Sequence, residues 1–200
     1  MIPKKRLGLS IASLVFFIYG YTEAIAQEKF SGIFVGYELM EMSQNEYKNF
    51  AGEIGVRTSK DHQFRLAYMD VVLTERHLAN KNESTAVEGG NVEGTFRLYE
   101  LNFDSYFGSS SWYWSLSAGK EHTMYRHMIL GTKAELNSYT IGSGFGYYTS
   151  RFLWIDGLMF NFSYPVRYFF SPLRETTLGN TTVRDHIIVN NIWIFIGVHF

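Results

Sequence analysis

The sequence predicts an all-β fold, an eight-stranded antiparallel up-and-down transmembrane β-barrel that follows a cleaved signal peptide. Three observations support this prediction. The first residues are organised like an export signal, apolar side chains alternate with small or polar ones along most of the remaining chain, and the chain ends in an alternating strand with a terminal aromatic residue. Alternation with a period of two is the signature of strands that have two different faces.

The first 26 residues are predicted to be the signal peptide. Basic residues at 4–6 precede an apolar stretch at 7–19 that is too short to span a bilayer comfortably. Ala24 and Ala26 supply the small side chains that signal peptidase requires, so we expect cleavage before Gln27. Residues 27–200 then form one barrel domain. The alternative is that the segment stays in place as an uncleaved membrane anchor.

Composition excludes several classes of function. The chain contains no cysteine, which excludes a lipoprotein anchor, disulfides, thiol catalysis and cysteine metal sites. A net charge of -1 without a basic cluster gives no reason to expect nucleic acid as a partner. Aromatic residues make up 18% of the chain, which suits either strands or the aromatic girdles of a membrane barrel.

Eight segments are predicted to be strands, each close to the roughly 9–11 residues that a tilted transmembrane strand needs. In the sixth segment, one face carries Tyr139 and Ile141 and the other carries Gly142 and Gly144. A face of small residues suits the crowded lumen of a narrow barrel, so the apolar faces are expected to point to lipid. The eight segments are 30–40, 49–59, 63–74, 95–106, 112–121, 136–148, 152–163 and 187–200.

The predicted connections alternate between short and long. In a barrel with an even number of strands, both chain ends lie on the periplasmic side, so the long connections are expected to face outward. The short turns are 60–61, 108–111 and 149–151, and the long connections are 41–48, 75–94, 122–135 and 164–186.

The last predicted strand has an outward face typical of an outer-membrane assembly signal, which consists of Ile192, Ile194, Ile196, Val198 and Phe200. With this ending, the signal peptide and the alternation, the chain resembles the family of small eight-stranded outer-membrane barrels typified by the transmembrane domain of outer membrane protein A. The resemblance implies an integral outer-membrane protein of the Gram-negative cell envelope. It implies outer-membrane lipids, lipopolysaccharide, the outer-membrane assembly machinery and periplasmic chaperones as partners.

Charged residues inside the strands are expected to point into the lumen, because a charge that faces lipid near the bilayer midplane is costly. The predicted lumen charge cluster is Glu53, Arg57, Asp70, Glu100 and Asp104, with Glu38 and Asn102 as further lumen candidates. We expect Arg57 to pair with Asp104, since both fall near the periplasmic ends of their strands. Side chains essentially fill an eight-stranded interior, so a plug of paired charges is favoured over a cation path.

No motif predicts catalysis, a cofactor or a metal site. Lipid A deacylases among such barrels place His and Ser two residues apart on one strand face, and no His here has a Ser at that distance. A palmitoyltransferase would depend on Asp104 and Ser105, which fall at the wrong end of their strand. His122 and His127 lack a third ligand and are expected in a solvated loop. The favoured prediction is a non-enzymatic barrel with an envelope-structural or loop-binding role, and a lipid A modifying enzyme and a narrow pore are the alternatives.

Overall fold

Alternating side chains fold most of the chain into long antiparallel strands. The computed structural model describes residues 31–44, 47–73, 91–179, 181–183 and 187–200, so the predicted signal peptide lies outside the described residues. A short helix, α1 (Met40–Gln44), follows the first strand. No helix within the described residues is both long and apolar enough to cross a membrane. The strands are β1 (Gly32–Glu38), β2 (Phe50–Arg57), β3 (His62–Leu73), β4 (Val92–Tyr106), β5 (Trp112–His127), β6 (Lys133–Thr149), β7 (Leu158–Phe169), β8 (Thr176–Leu178), β9 (Thr181–Val183), β10 (Ile188–Asn190) and β11 (Trp193–His199).

The long strands close into a ring. From β1 to β7 each pairs antiparallel with its neighbours in sequence. β10 and β11 keep one register against β7, and together they form a single strand interrupted at Asn191 and Ile192. β11 also pairs with β1, which places Phe34 opposite His199 at the seam of the barrel. The predicted eight-stranded up-and-down barrel is therefore confirmed.

The outer wall of the barrel is apolar and its interior is polar. The outward residues Ile54, Leu101 and Ile141 are 51%, 58% and 51% exposed, whereas the inward residues Arg57 and Glu100 are 1% and 0% exposed. Burial alternates along every long strand in the same sense. This distribution is the reverse of that in a soluble barrel.

Glycines on the inner face of β6 provide room for large lumen side chains. A Cβ atom at Gly146 would collide with the Tyr113 ring, which is fully buried opposite it. The small-residue face predicted for this strand thus points inward. Because the Tyr113 hydroxyl reaches across to Asn161 of β7, this space lets one side chain span part of the lumen.

The two ends of the barrel differ. The turn end carries the start of β1, the end of β11 and the connections 58–61, 107–111 and 150–157. The loop end is opposite, and it carries the end of β3, the start of β4, helix α1, the turn 128–132 and the end of β7.

β5 and β6 extend further than predicted. Residues 122–135 were expected to form a long connection, but the two strands continue to His127 and from Lys133, which leaves a turn at 128–132. The prediction ended both strands early because it matched their length to the roughly 9–11 residues that a transmembrane strand needs. Pairing continues beyond that point because the inward residues Tyr125 and Leu136 remain buried.

β7 begins later than predicted. The apolar run that starts at Phe152 has the composition of a strand, but Phe152–Trp154 forms a 3-10 turn. Leu153 and Trp154 have φ values of 53° and 61°, in the left-handed region that interrupts an extended chain. The strand therefore starts at Leu158 and continues through Pro165 to Phe169, inside the segment predicted as a loop.

A hairpin folds over the lumen at the loop end. β8 and β9 form a separate two-stranded sheet whose Leu178 and Val183 are 2% and 1% exposed. The tip of this hairpin at Gly179 lies against His127 of β5. We call the buried apolar cluster that these hairpin residues form with the inward side chains Leu73, Val92 and Tyr125 the loop-end cap.

Candidate functional site

Arg65 lies at the centre of a buried ion-pair network inside the barrel. Its Nε and Nη2 donate to the two Asp104 carboxylate oxygens at 2.6 Å and 3.3 Å. Its Nη1 donates to Glu53 Oε2 at 2.8 Å, and Nη2 also reaches Ser163 Oγ at 3.5 Å. All three charged side chains are 0% exposed. One guanidinium therefore binds carboxylates from two strands, β2 and β4. Arginine suits this role because its planar group presents several N–H donors in fixed directions.

Neutral side chains satisfy the remaining oxygens of this central network. Asn161 Nδ2 donates to Glu53 Oε1 at 2.7 Å, and the Tyr113 hydroxyl donates to Asn161 Oδ1 at 2.7 Å. Gln63 Nε2 donates to Asp104 Oδ2 at 2.8 Å. The network thus joins β2, β3 and β4 to β5 and β7 across the lumen, and each oxygen of Glu53 and Asp104 has a donor.

A second ion pair crosses the lumen closer to the loop end. Arg167 of β7 donates to Glu100 of β4 through Nε at 2.6 Å and Nη2 at 2.9 Å, a bidentate contact. Its Nη1 donates to Asn191 Oδ1 at 2.7 Å, at the interruption between β10 and β11. The guanidinium also stacks over the Trp193 ring, with Cζ 3.9 Å from the ring centroid. These contacts hold the Arg167 guanidinium in place. The Arg167–Glu100 pair therefore links β7 to β4 rigidly across the lumen.

Glu38 terminates β1 by binding backbone amides. Its carboxylate accepts from Met40 N at 3.0 Å and Glu41 N at 2.6 Å, the first amides of α1. It also accepts from Ile194 N at 3.1 Å across the seam. A carboxylate at a helix start offsets the unpaired amides and the positive end of the helix dipole. Glu38 thus fixes the start of α1 to the barrel wall, and its side chain faces the interior, as predicted.

Four of the five predicted cluster residues lie in the interior, but they do not form one cluster. Glu53 and Asp104 belong to the central network, while Glu100 belongs to the Arg167 pair. The expected pairing of Arg57 with Asp104 is wrong, because Arg65 takes that carboxylate. Arg57 lies nearer the turn end, with Cζ 4.0 Å above the Tyr106 ring.

The prediction that Asp70 points into the lumen is also wrong. Met69 and Val71 occupy the inward positions on either side of it, so Asp70 faces outward. It accepts from Arg97 Nη2 at 3.0 Å and from the Tyr68 hydroxyl at 3.2 Å. The prediction assumed that an outward acid would face lipid, but this position lies beyond the aromatic side chains that end the apolar wall.

The residues predicted to form the assembly signal share one face. Phe195 and Trp193 point inward and are fully buried, whereas Val198 and Phe200 are 45% and 64% exposed. The predicted outward set, Ile192, Ile194, Ile196, Val198 and Phe200, thus lies on the outer wall and at the turn end.

The histidines of β5 lie on opposite faces of the strand. His122 points outward, where its Nδ1 lies 3.1 Å from Asn137 Oδ1. His127 points inward and accepts from Leu130 N at 3.1 Å. Both belong to strand β5 rather than to the solvated loop expected for them. Within the described residues, no group of three or more His, Asp or Glu side chains is arranged to hold a metal ion.

The fold of this chain is established by its strand pairing rather than by similarity to a known protein. No model of a known protein family matches the chain, and no curated protein matches it. Among solved structures, the N-terminal β-barrel domain of OprF from Pseudomonas aeruginosa is similar, at 14% identity and a TM-score of 0.42, over 87% of this chain and 100% of that one. The eight-stranded architecture that the resemblance led us to expect is shown by the strand pairing itself.

Sequence reasoning missed the two arginines that organise the lumen. Arg65 sits between the outward residues Phe64 and Leu66, and this local alternation was a usable signal for an inward cation. Arg167 was missed because residues 164–186 were predicted to be a long connection. The alternation around Arg167 was a weaker signal for a strand, because Pro165 lies two residues before it. The strand nevertheless continues past the proline and stays paired to β6.

Proposed function

We propose that this protein is a non-enzymatic, closed β-barrel of the bacterial outer membrane that stabilises the envelope and holds its loop-end segments at the cell surface. The observation that carries the proposal is an interior occupied by cross-lumen contacts beneath an apolar outer wall. The Arg65 network, the Arg167 pair and the loop-end cap occupy successive levels of the lumen. A cross-braced interior of this kind suits a rigid anchor better than a path for ions.

The outer wall has the character expected of a surface in lipid. Along β5, outward residues from Trp112 to Ala118 are aromatic or aliphatic, and Lys120 is the first outward charge. Eight residues at about 3.3 Å each, tilted by about 40°, span roughly 20 Å, close to the apolar band of outer-membrane barrels. Soluble monomers rarely expose so large a continuous apolar surface.

Aromatic pairs mark both borders of this apolar wall. Trp112 and Tyr147 pack edge to face at 5.3 Å between ring centroids towards the turn end. Tyr68 and Tyr99 pack at 4.9 Å towards the loop end. Rings with one polar edge prefer the membrane interface, so these pairs support a bilayer between them. Since the barrel begins and finishes at the turn end, that end is assigned to the periplasm.

A matched pair of substitutions on β5 tests the membrane location. Leu116 lies midway along the apolar wall, and Met124 lies on the same face beyond Lys120. In lipid vesicles, Leu116→Arg should lower the free energy of unfolding by about 2–4 kcal/mol, and Met124→Arg by about 0–1 kcal/mol. Equal, small effects of both substitutions would mean that water rather than lipid faces Leu116, and the membrane assignment would fail.

Two further measurements separate the proposed role from its alternatives. Planar bilayers containing the refolded protein should show no steady conductance, with a general porin in the same bilayer as the positive control. Lipid A from cells with and without the protein should give the same mass spectrum. Steady conductance would establish a pore, and a change in acyl chains would establish a lipid A modifying enzyme.

A further inference from the structure

The outer wall carries polar residues just beyond the tyrosines at the loop end. Strand register places Asp70 opposite Arg97, Arg97 opposite His122, and His122 opposite Asn137. This polar row therefore crosses four neighbouring strands from β3 to β6, and all four side chains project to the same side of the sheet.

The adjacent row, one step nearer the apolar wall, consists of tyrosines around a single lysine. Tyr68 lies opposite Tyr99, Tyr99 opposite Lys120, and Lys120 opposite Tyr139. The Lys120 ammonium is 6.0 Å from the centroid of the Tyr139 ring. Within the described residues, Lys120 forms no ion pair with a carboxylate. A cation thus sits at the border of the apolar wall among aromatic side chains.

Positive charge is concentrated at this point of the wall. Arg97 and Lys120 are diagonal neighbours on β4 and β5, a spacing of about 7–8 Å that one phosphate group can bridge. Asp70 is the acid in the polar row. It contacts Nη2 of Arg97, whose side chain is 47% exposed. We call Arg97, Lys120 and His122 the outer-wall basic site.

Further from the apolar wall the charges balance. Arg126 lies opposite both Glu93 and Lys133, and Glu135 lies on the same face of β6. Two acids therefore accompany two bases in that region. The excess of positive charge is confined to the level of the outer-wall basic site.

We infer that the outer-wall basic site binds a phosphate group of lipid A, the membrane-embedded part of lipopolysaccharide. The inference rests on the proposed function, because it needs the loop end to face outside. Lys120 lies roughly 20 Å from Trp112 along the barrel axis, which places its ammonium at the level of the outer headgroups. There an anionic phosphate meets the Arg97 guanidinium, which among the described residues donates only to Asp70, together with an ammonium and tyrosine hydroxyls, the donors that suit it best.

Native mass spectrometry of the detergent-solubilised protein can test the site with three lipids. The probes are bisphosphorylated lipid A, the same lipid A with its phosphates removed, and phosphatidylglycerol. The test variants are Lys120→Gln and the double variant Arg97→Gln with Lys120→Gln. The matched control is Arg126→Gln with Lys133→Gln, which removes the same charge from the same wall beyond the site.

The double test variant should raise the apparent Kd of bisphosphorylated lipid A by about tenfold, the single variant should raise it by less, and the control should change it by under about twofold. Lipid A without phosphates should bind weakly to every form. Equal losses in the test and control pairs would overturn the site, since they would indicate diffuse attraction. Equally tight binding of phosphatidylglycerol would overturn the assignment to lipid A.

Failure of the proposed function gives a different result from failure of this site. If the protein is not a closed membrane barrel, unheated and boiled samples of every variant will migrate alike on SDS gels. A heat-dependent shift in all variants, together with unchanged lipid A binding by Lys120→Gln and by the double variant, would overturn the site alone. Lys120 makes no ion pair with a described residue, so its substitution leaves the fold intact.

Discussion

Replacing Arg65 with methionine removes the cation that two buried carboxylates share. In the native barrel, Arg65 donates to Asp104 at 2.6 Å and to Glu53 at 2.8 Å, and all three side chains are fully buried. Methionine has an unbranched apolar side chain of similar volume, so the main loss is the charge and its hydrogen bonds rather than packing. Removing one partner of a buried pair costs about 3–5 kcal/mol because the other charge stays behind without compensation. Since two carboxylates lose their partner here, we expect a loss at the upper end of that range.

Urea unfolding in lipid vesicles, followed by tryptophan fluorescence and gel mobility, measures this loss. The matched control is Arg97→Met on the outer wall, where the pair with Asp70 is partly exposed and such pairs contribute little. The control should leave the urea midpoint nearly unchanged. Adding Glu53→Gln and Asp104→Asn to Arg65→Met should recover part of the loss, because neutral amides need no cation.

Three outcomes would refute this reasoning about the lumen. A loss of about 1 kcal/mol or less for Arg65→Met would show that the two carboxylates are not buried without a partner. A loss equal to that of Arg97→Met would show that the buried pair is no stronger than the exposed one. A triple variant with Glu53→Gln and Asp104→Asn that recovers none of the loss would show that the cost comes from packing rather than from stranded charge.

Three other predictions concern packing, assembly and processing. Gly146→Leu should prevent refolding in detergent, because a larger side chain collides with the Tyr113 ring; Ala118→Leu, on the exposed outer face of β5, is the control, and normal refolding of both would contradict the packing. Deleting Phe200 should sharply reduce outer-membrane levels in cells while purified protein still refolds, since a residue that is 64% exposed adds little to the finished barrel; equal failure in both settings would show that the residue is not an assembly signal. N-terminal sequencing of the membrane-extracted protein should begin at Gln27, and a retained Met1 would contradict cleavage.

Most of the fold could be predicted because alternation reports the two faces of a strand directly. The outward Ile192 to Phe200 face and the inward glycines of β6 were assigned correctly from residue type alone, since lipid and a crowded lumen select such different side chains. Strand ends were harder to predict. Strand pairing continues to Arg126 and Lys133, beyond the end of the apolar wall, so the thickness of a membrane was a poor guide to the end of β5.

The partners of the lumen charges were the least predictable feature. Whether Arg57 or Arg65 reaches Asp104 depends on strand register and on where each guanidinium lies along the lumen, neither of which is encoded in local sequence. Gln63 lies directly opposite Asp104, and Arg65 is its diagonal neighbour, so a correct register would have identified the pair. Asp70 was assigned to the wrong face because residues on both sides of β3 are apolar at that level, which removes the contrast that alternation needs.

The seam between β1 and β11 determines when the barrel can finish folding. It joins Phe34 to His199 and sets Gly36 opposite Gly197, so closure must bring together segments separated by nearly the entire described chain. Contacts so distant in sequence are slow to form, because the entropy of the intervening chain is lost before the contact stabilises anything. Until then, both edge strands expose unpaired backbone groups, which bilayer lipid does not tolerate. We therefore expect membrane insertion and closure of this seam to be one concerted step, in which the glycine pair lets the two backbones approach closely.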